Sequence, residues 1–309
     1  MIEEKKLGVA DFEQLFNEKI TPYLADRIRE YDFVYVEADD QERDLLLKKI
    51  ISFLLDKNVI YSGEHRHNEW EAGWGENLKD LTITSQKEAM NPKYFGKYNN
   101  LRLRQKFIHP VSKDFERNSL WIIVDWLADT YLRKFHTVYE FGCGTGHNLF
   151  RIREANPEAT LWGCDWAKSS QEIIKKVNES GVDKKIFGKN FDFFKPDQNF
   201  RLEPNSAIYT VAALEQVGGR FQEFMAYIIA NSPKICIHIE PIAELLDSNN
   251  LLDYLSIEYF KKRNYLSGFL TYLRELEKQG KVEILKQSRN YIGSLFIEGY
   301  SVVVWRPKN

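Results

Sequence analysis

Apolar positions change their rhythm along the chain, and the change divides it. In the first stretch Phe12, Leu15, Phe16, Ile20, Leu24 and Ile28 keep a helical spacing. A second helical run, from Gln41 to about Lys57, carries Leu45, Leu46, Ile50, Ile51, Leu54 and Leu55 behind the capping pair Asp39 and Asp40. Between Ser62 and Pro110 no period is sustained, and glycine, asparagine, proline and aromatic residues predominate. Such irregular segments tend to be functional or mobile. Helical spacing returns from about Asn118 to Lys134, with Leu120, Trp121, Val124, Leu127 and Tyr131.

Beyond that helix, short apolar strands alternate with helical segments. The strands fall at Thr137–Phe141, Thr160–Cys164, Lys185–Gly188, Ser206–Val211 and Lys234–Ile239, a pattern that predicts βαβ units around a parallel sheet. A helical insertion at about 249–278 precedes two late strands, Val282–Gln287 and Ser301–Trp305. The division is therefore a helical amino-terminal cap or substrate region over 1–117 and an α/β domain over 118–309. No internal repeat or low-complexity segment interrupts either part.

Composition narrows the class without naming a chemistry. With 309 residues, 43% hydrophobic and 28% charged, the chain has the profile of an ordinary globular protein. Its 43 Lys and Arg nearly balance 45 Asp and Glu, which argues against binding nucleic acid by charge alone. Cys143, Cys164 and Cys236 are widely spaced, match no zinc pattern and suggest a reducing compartment. His65 and His67, with Glu64 and Glu69, read as polar surface, so no metal is expected. No apolar stretch is long enough to span a bilayer and no secretory signal leads the chain, so a cytoplasmic protein is expected.

The candidate chemistry begins at Glu140-Phe-Gly142-Cys143-Gly144-Thr145-Gly146, between a strand and a helix. Glycines there let a ligand approach the backbone, and the following helix N-terminus suits an anionic group. The dinucleotide spacing G-x-G-x-x-G fails, because the sixth position is His147 or Leu149. The acidic-led E-x-G-x-G-x-G instead resembles the first motif of the class I S-adenosylmethionine-dependent methyltransferases. Asp165 closes the second strand, where a carboxylate can accept both ribose hydroxyls; its other reading is a helix N-cap. Trp166 beside it suits the ribose or the adenine. At the end of the third strand, Asn190-Phe191-Asp192-Phe193 is where the resembling family meets the adenine, with Asp192 the first choice and Asn190 the second. After the fourth strand, Ala212-Ala-Leu214-Glu215-Gln216-Val217 is similar to the L-E-H-V signature of small-molecule O-methyltransferases. Gln216 stands where those enzymes carry a histidine, and an amide takes no proton at neutral pH.

The resemblance covers roughly 118–309. It implies a seven-stranded sheet, mostly parallel with an antiparallel last strand, plus the amino-terminal helical extension. It also implies S-adenosyl-L-methionine as cofactor, S-adenosyl-L-homocysteine as product, and Glu140, Gly142, Cys143, Gly144, Thr145, Gly146, Asp165, Trp166, Asn190, Phe191, Asp192, Phe193, Ala212 and Leu214 around the cofactor. Because ligands sit beyond the carboxyl ends of the strands, Glu215, His238 and Glu240 are the candidates for catalysis. Tyr98, Arg102 and Arg104, from a basic stretch between Lys93 and Lys106, are candidates for a carboxylate or an anionic substrate. Arg263-Asn-Tyr265 and Arg289-Asn-Tyr291 are further candidates for shaping an acceptor pocket.

Three functions remain open at this point. The first is methyl transfer to an oxygen, nitrogen or carbon of a small molecule such as a sugar, lipid head or secondary metabolite. The second is methylation of RNA or protein docked on the 93–106 segment. The third is a regulatory protein that binds the cofactor without turnover. Neither the acceptor atom nor the oligomeric state is legible from the sequence.

Overall fold

The computed structural model describes residues 3–84 and 87–308. The amino-terminal part comprises β1 (Lys5–Lys6), α1 (Val9–Phe16), α2 (Pro22–Arg29), β2 (Val34–Glu37), α3 (Asp40–Leu55), α4 (His67–Thr84), β3 (Leu101–Leu103), β4 (Lys106–Pro110) and α5 (Phe115–Leu127). There follow β5 (Thr137–Phe141), α6 (His147–Ala155), β6 (Thr160–Asp165), α7 (Lys168–Glu179), β7 (Ile186–Asn190), β8 (Ala207–Val211), α8 (Gln222–Asn231) and β9 (Ile235–Glu240). The chain ends with α9 (Leu251–Arg263), α10 (Phe269–Lys278), β10 (Val282–Ser288), β11 (Ile292–Gly293) and β12 (Ser301–Pro307).

Seven strands form the main sheet in the order β10-β12-β9-β8-β5-β6-β7. Strands β5 to β9 pair in parallel. The last strand, β12, runs antiparallel between β9 and β10, as the resemblance implies. Every residue of β8 and β9 is buried, because helices cover both faces of the sheet. Strand alternation then divides the core: Val302 and Val304 pack on one side, Val303 and Trp305 on the other. The chain runs outward from β5 to β7 and returns to β8 on the other side of β5. That reversal opens a crevice at the carboxyl ends of β5 and β8.

The amino-terminal part carries the expected helices and also a sheet that periodicity did not reveal. Five antiparallel strands stand in the order β1-β2-β4-β3-β11. They are two to five residues long, too short to display an alternation. The edge strand β11 comes from the excursion between β10 and β12, so the 1–117 segment is completed by the far end of the chain. The first apolar run is two helices rather than one: Thr21 caps α2 and Pro22 opens it. The 62–110 segment contains the 18-residue α4. That helix shows no apolar stripe because Asn77 alone is fully buried; it packs on α7 and the candidate site and reaches the core only through the half-buried Leu78 and Leu81. Among the described residues no helix is long and apolar enough to cross a membrane.

A buried ionic cluster joins the small sheet to the carboxyl-terminal elements. Arg102 on β3 is 1% exposed, and its Nη1 donates to Ser256 Oγ (2.6 Å) and to the carbonyls of Leu252 and Phe296 (both 3.1 Å). Asp253 on α9 accepts two bonds of 2.5 Å from Arg289 and one from Gln105 Nε2. Glu298 accepts from Arg289 and from the Gln105 amide. Removing one member of a buried cluster leaves its partners charged and unpaired, at a cost of roughly 3–5 kcal/mol. Asp253→Ala is therefore expected to lower stability by that amount, read from the urea midpoint; an unchanged midpoint would show that the cluster does not hold these segments together.

Candidate active site

The glycine loop lies at the crevice. Gly142, Gly144 and Gly146 all take positive φ, at 73°, 54° and 76°. A Cβ on Gly142 would stand 2.3 Å from the Cβ of Ala213, and one on Gly144 would stand 2.8 Å from the Trp74 ring. Both glycines are therefore required by conformation and by space. Cys143 and Gly144 line a cavity of about 580 Å³ in front of the loop. Thr145 faces away, its Oγ1 donating to the Met90 carbonyl, and Gly146 caps α6 outside the cavity.

Glu140, at the end of β5, is 1% exposed and lines the cavity. Asn148 Nδ2 and the Tyr209 hydroxyl each donate to it at 2.9 Å, yet burial pushes its carboxyl up to about 8. Asp165 accepts from the amides of Gly144 (2.8 Å) and Ala167 (2.9 Å), so it ties the glycine loop to the end of β6. It borders a second, aromatic slot of about 60 Å³ with Trp166, Phe191, Phe193 and Phe194. The slot and the cavity share Trp70, Trp74, Gly142, Ala212 and Gln216, which makes them one continuous crevice.

Several sequence-nominated residues are placed elsewhere. Asn190 donates to the carbonyls of Asp165 and Trp166, and Asp192 accepts from the Phe194 amide; neither borders the slot, because Asn190 is tied to the turn after β6 and Asp192 to its own turn. Leu214 is fully buried in the core. His238 is fully buried too, with Nδ1 3.0 Å from Thr210 Oγ1 and Nε2 accepting from Trp305 Nε1 at 2.9 Å. Desolvation pushes it down to about 3, which makes it a neutral core histidine. Glu240 is occupied structurally: its two oxygens accept the amides of Ala213, Leu214 and Glu215, and it is fully buried outside the cavity. Arg102 belongs to the ionic cluster and Arg104 pairs with Asp11 and Gln14, so Tyr98 is the member of that trio that reaches the cavity. Arg289 is likewise spent on Asp253 and Glu298, whereas Arg263 and Tyr265 do line the cavity.

Glu215 is the nominated catalytic carboxylate that the fold delivers to the cavity. Gln216 Nε2 donates to it at 2.8 Å, and the Tyr265 hydroxyl also donates. Desolvation, with Glu240 nearby, pushes Glu215 up to about 8. The amide oxygen of Gln216 accepts from Ser62 Oγ (2.9 Å) and Arg66 Nη1 (3.2 Å). The side chain standing in place of a histidine thus couples the amino-terminal segment to Glu215. Sequence reasoning missed Trp70, Trp74, Glu116 and Tyr300, all of which line the cavity. The spacing of Trp70 and Trp74 on one face of α4 was the available signal. Among the described residues, no group of three or more suitable side chains is placed to hold a metal ion.

These carboxyls predict a pH dependence of stability. Glu140 and Glu215 hold protons in the folded chain up to about 8, against an ordinary value of 4.5. Their contribution is complete below that ordinary value and is lost as pH rises through 8. The buried His147 and His238, both pushed down to about 3, work oppositely, but their contribution is already complete above their ordinary 6.5. Stability is thus expected to fall between about pH 7 and pH 8.5, less steeply in Glu215→Gln. Urea midpoints rising across that window would contradict the assignment.

No family model and no curated protein matches the sequence. Among solved structures the chain is similar to human N-acetylserotonin methyltransferase in complex with S-adenosylmethionine, with TM-score 0.45 and 14% identity, covering 74% of this chain and 59% of that one. It is similar to N,N-8-amino-8-demethyl-D-riboflavin dimethyltransferase from Streptomyces davawensis, with TM-score 0.45 and 12% identity, over 77% of this chain and 69% of that one. It is also similar to geranyl diphosphate methyltransferase in complex with S-adenosylmethionine, with TM-score 0.47 and 12% identity, over 64% of this chain and 92% of that one.

Proposed function

We propose that this chain is an S-adenosylmethionine-dependent methyltransferase acting on a small molecule. The observation that carries the reading is the acidic-led glycine loop at the switch point, with the N-terminus of α6 behind it and the cavity in front. The surrounding residues fit that cofactor. Gly142 and Gly144 leave the backbone bare, Asp165 is positioned for ribose hydroxyls, and Trp166, Phe191, Phe193 and Phe194 offer apolar walls to a purine. His147 Nε2 and Asn148 Oδ1 are buried without a hydrogen-bond partner, and both residues line the cavity beside the loop. When bound, the cofactor supplies a methyl group on a sulfonium, open to in-line displacement.

The protein's contribution is then to orient the acceptor, exclude water and receive a proton. Glu215, held by Gln216 and Tyr265, is the group placed to take that proton. A cavity of about 580 Å³ falls among small-molecule sites, which span roughly 300–1,000 Å³.

Docking of RNA or protein through the 93–106 segment has little support, because four of its five cations, all but Lys97, are already used. Lys93 pairs with Asp80 and Glu76, Arg104 with Asp11, and Lys106 with Glu37, while Arg102 is buried. A non-catalytic role loses its one motive as well, since Gln216 has a positioning task of its own.

Asp165→Ala is expected to weaken S-adenosylhomocysteine binding tenfold or more, about 1.4 kcal/mol, through lost charge-assisted bonds to the ribose. Calorimetry giving the same Kd for both proteins would remove Asp165 from the ribose site, and no binding to the unaltered chain would reject the cofactor itself.

A further inference from the structure

Beyond the aromatic slot the cavity changes character. Its wall combines the rings of Tyr94, Tyr98, Tyr259, Tyr265 and Tyr300 with two carboxylates that the glycine loop does not use, Glu116 and Glu215. Glu116, in the first turn of α5, accepts a hydrogen bond from the Tyr300 hydroxyl at 3.0 Å and makes no ion pair among the described residues. Arg263 faces Glu215, but its Nη1 is held by the Ile60 carbonyl at 2.7 Å. Two cations at the rim are committed elsewhere, Arg66 to Glu69 and Gln216 and Lys93 to Asp80 and Glu76, while Lys97 is exposed at the mouth. Desolvation pushes Glu116 up to about 7 and Glu215 up to about 8, the latter despite Arg263 nearby, so neither has a cation paired closely enough to keep it ionised.

We infer that the acceptor is an amine, held in its cationic form by Glu116 and Glu215 inside the ring of tyrosines, and that its nitrogen receives the methyl group. The inference rests on the methyltransferase reading above. An ammonium entering this cavity supplies the missing positive charge to both carboxylates. Tyrosine faces add an attraction on the order of 0.5–2 kcal/mol, larger when the cation is desolvated. A carboxylate acceptor would instead bring a further negative charge to a wall whose own carboxyls burial already disfavours as anions. An aliphatic hydroxyl, far less acidic than an ammonium, would need a stronger base than Glu215. Gln216 takes no proton, and burial pushes His147 down to about 3.

The step balances simply. The ammonium gives one proton to the Glu215 carboxylate, which exposes the nitrogen lone pair. That pair forms the new N–C bond as the S–C bond to the methyl breaks, and the bonding electrons return to sulfur, which leaves as a thioether. The product is a methylated ammonium that the same tyrosines still accommodate.

Binding of matched probes tests this. Benzylamine, phenethylamine and butylamine are titrated into the full chain by calorimetry, with and without S-adenosylhomocysteine, beside phenylacetate, 3-phenylpropionate and 2-phenylethanol. At least one amine is expected to bind tenfold or more tighter than its carboxylate and alcohol counterparts. Glu116→Gln is expected to remove that preference while leaving S-adenosylhomocysteine affinity as it was. Glu215→Gln is the second variant should Glu116→Gln not fold, as judged by circular dichroism. Equal or tighter binding of the carboxylates or the alcohol, or no binding of any amine, would overturn the inference. Amine preference without S-adenosylhomocysteine binding would overturn the cofactor reading alone and leave the cationic site standing.

Discussion

The cavity depends on one buried carboxylate. Asp253, on α9, draws Arg289, Gln105 and Arg102 together, and these reach it from the segment leading into β11, the turn between β3 and β4, and β3 itself. Buried charges are costly unless every one is paired, so their partners can adopt few alternative arrangements. This constraint sets the small sheet against the carboxyl-terminal excursion and puts Tyr259, Arg263 and Tyr300 across from the glycine loop. A residue expected to grip an anion, Arg102, instead supports the wall of the site.

A second line of contacts runs from the amino-terminal segment into the chemistry. Ser62 and Arg66 hold the Gln216 oxygen, the Gln216 amide holds Glu215, and Glu240 caps the turn on which both stand. A histidine in place of Gln216 would present one donor and one acceptor on a rigid ring. The primary amide accepts two bonds and donates a third across the same gap. The departure from the L-E-H-V pattern thus puts a connector where a histidine would stand, beside the carboxyl of Glu215. The carboxyls around this line are dry enough to sit near neutrality, and a cation beside them acts strongly in such surroundings.

Much of this architecture is legible in the order of residues alone. Apolar runs at 137–141, 160–164, 206–211 and 234–239, alternating with helical spacing, determine a parallel sheet covered on both faces. The loop Glu140–Gly146 determines where the crevice opens, since only glycine tolerates both the positive φ and the close approach of Ala213 and Trp74. Asp165 follows from its place at the next strand end. These features are local, each set by neighbours within a few residues or by one βαβ unit.

Which polar side chains face the cavity was decided only by the tertiary structure. Glu240 and Glu215 both follow parallel strands, yet one is consumed by three backbone amides and the other opens to the pocket. Arg102 and Arg263 look alike in the sequence, and one lies in an ionic cluster while the other lines the cavity. Trp70 and Trp74 from α4, Glu116 from α5 and Tyr300 before β12 reach one cavity from three segments that share no period. Periodicity records which face of an element is buried. It carries no record of which distant element that face will meet, because that depends on long-range packing and on the pairing of buried charge.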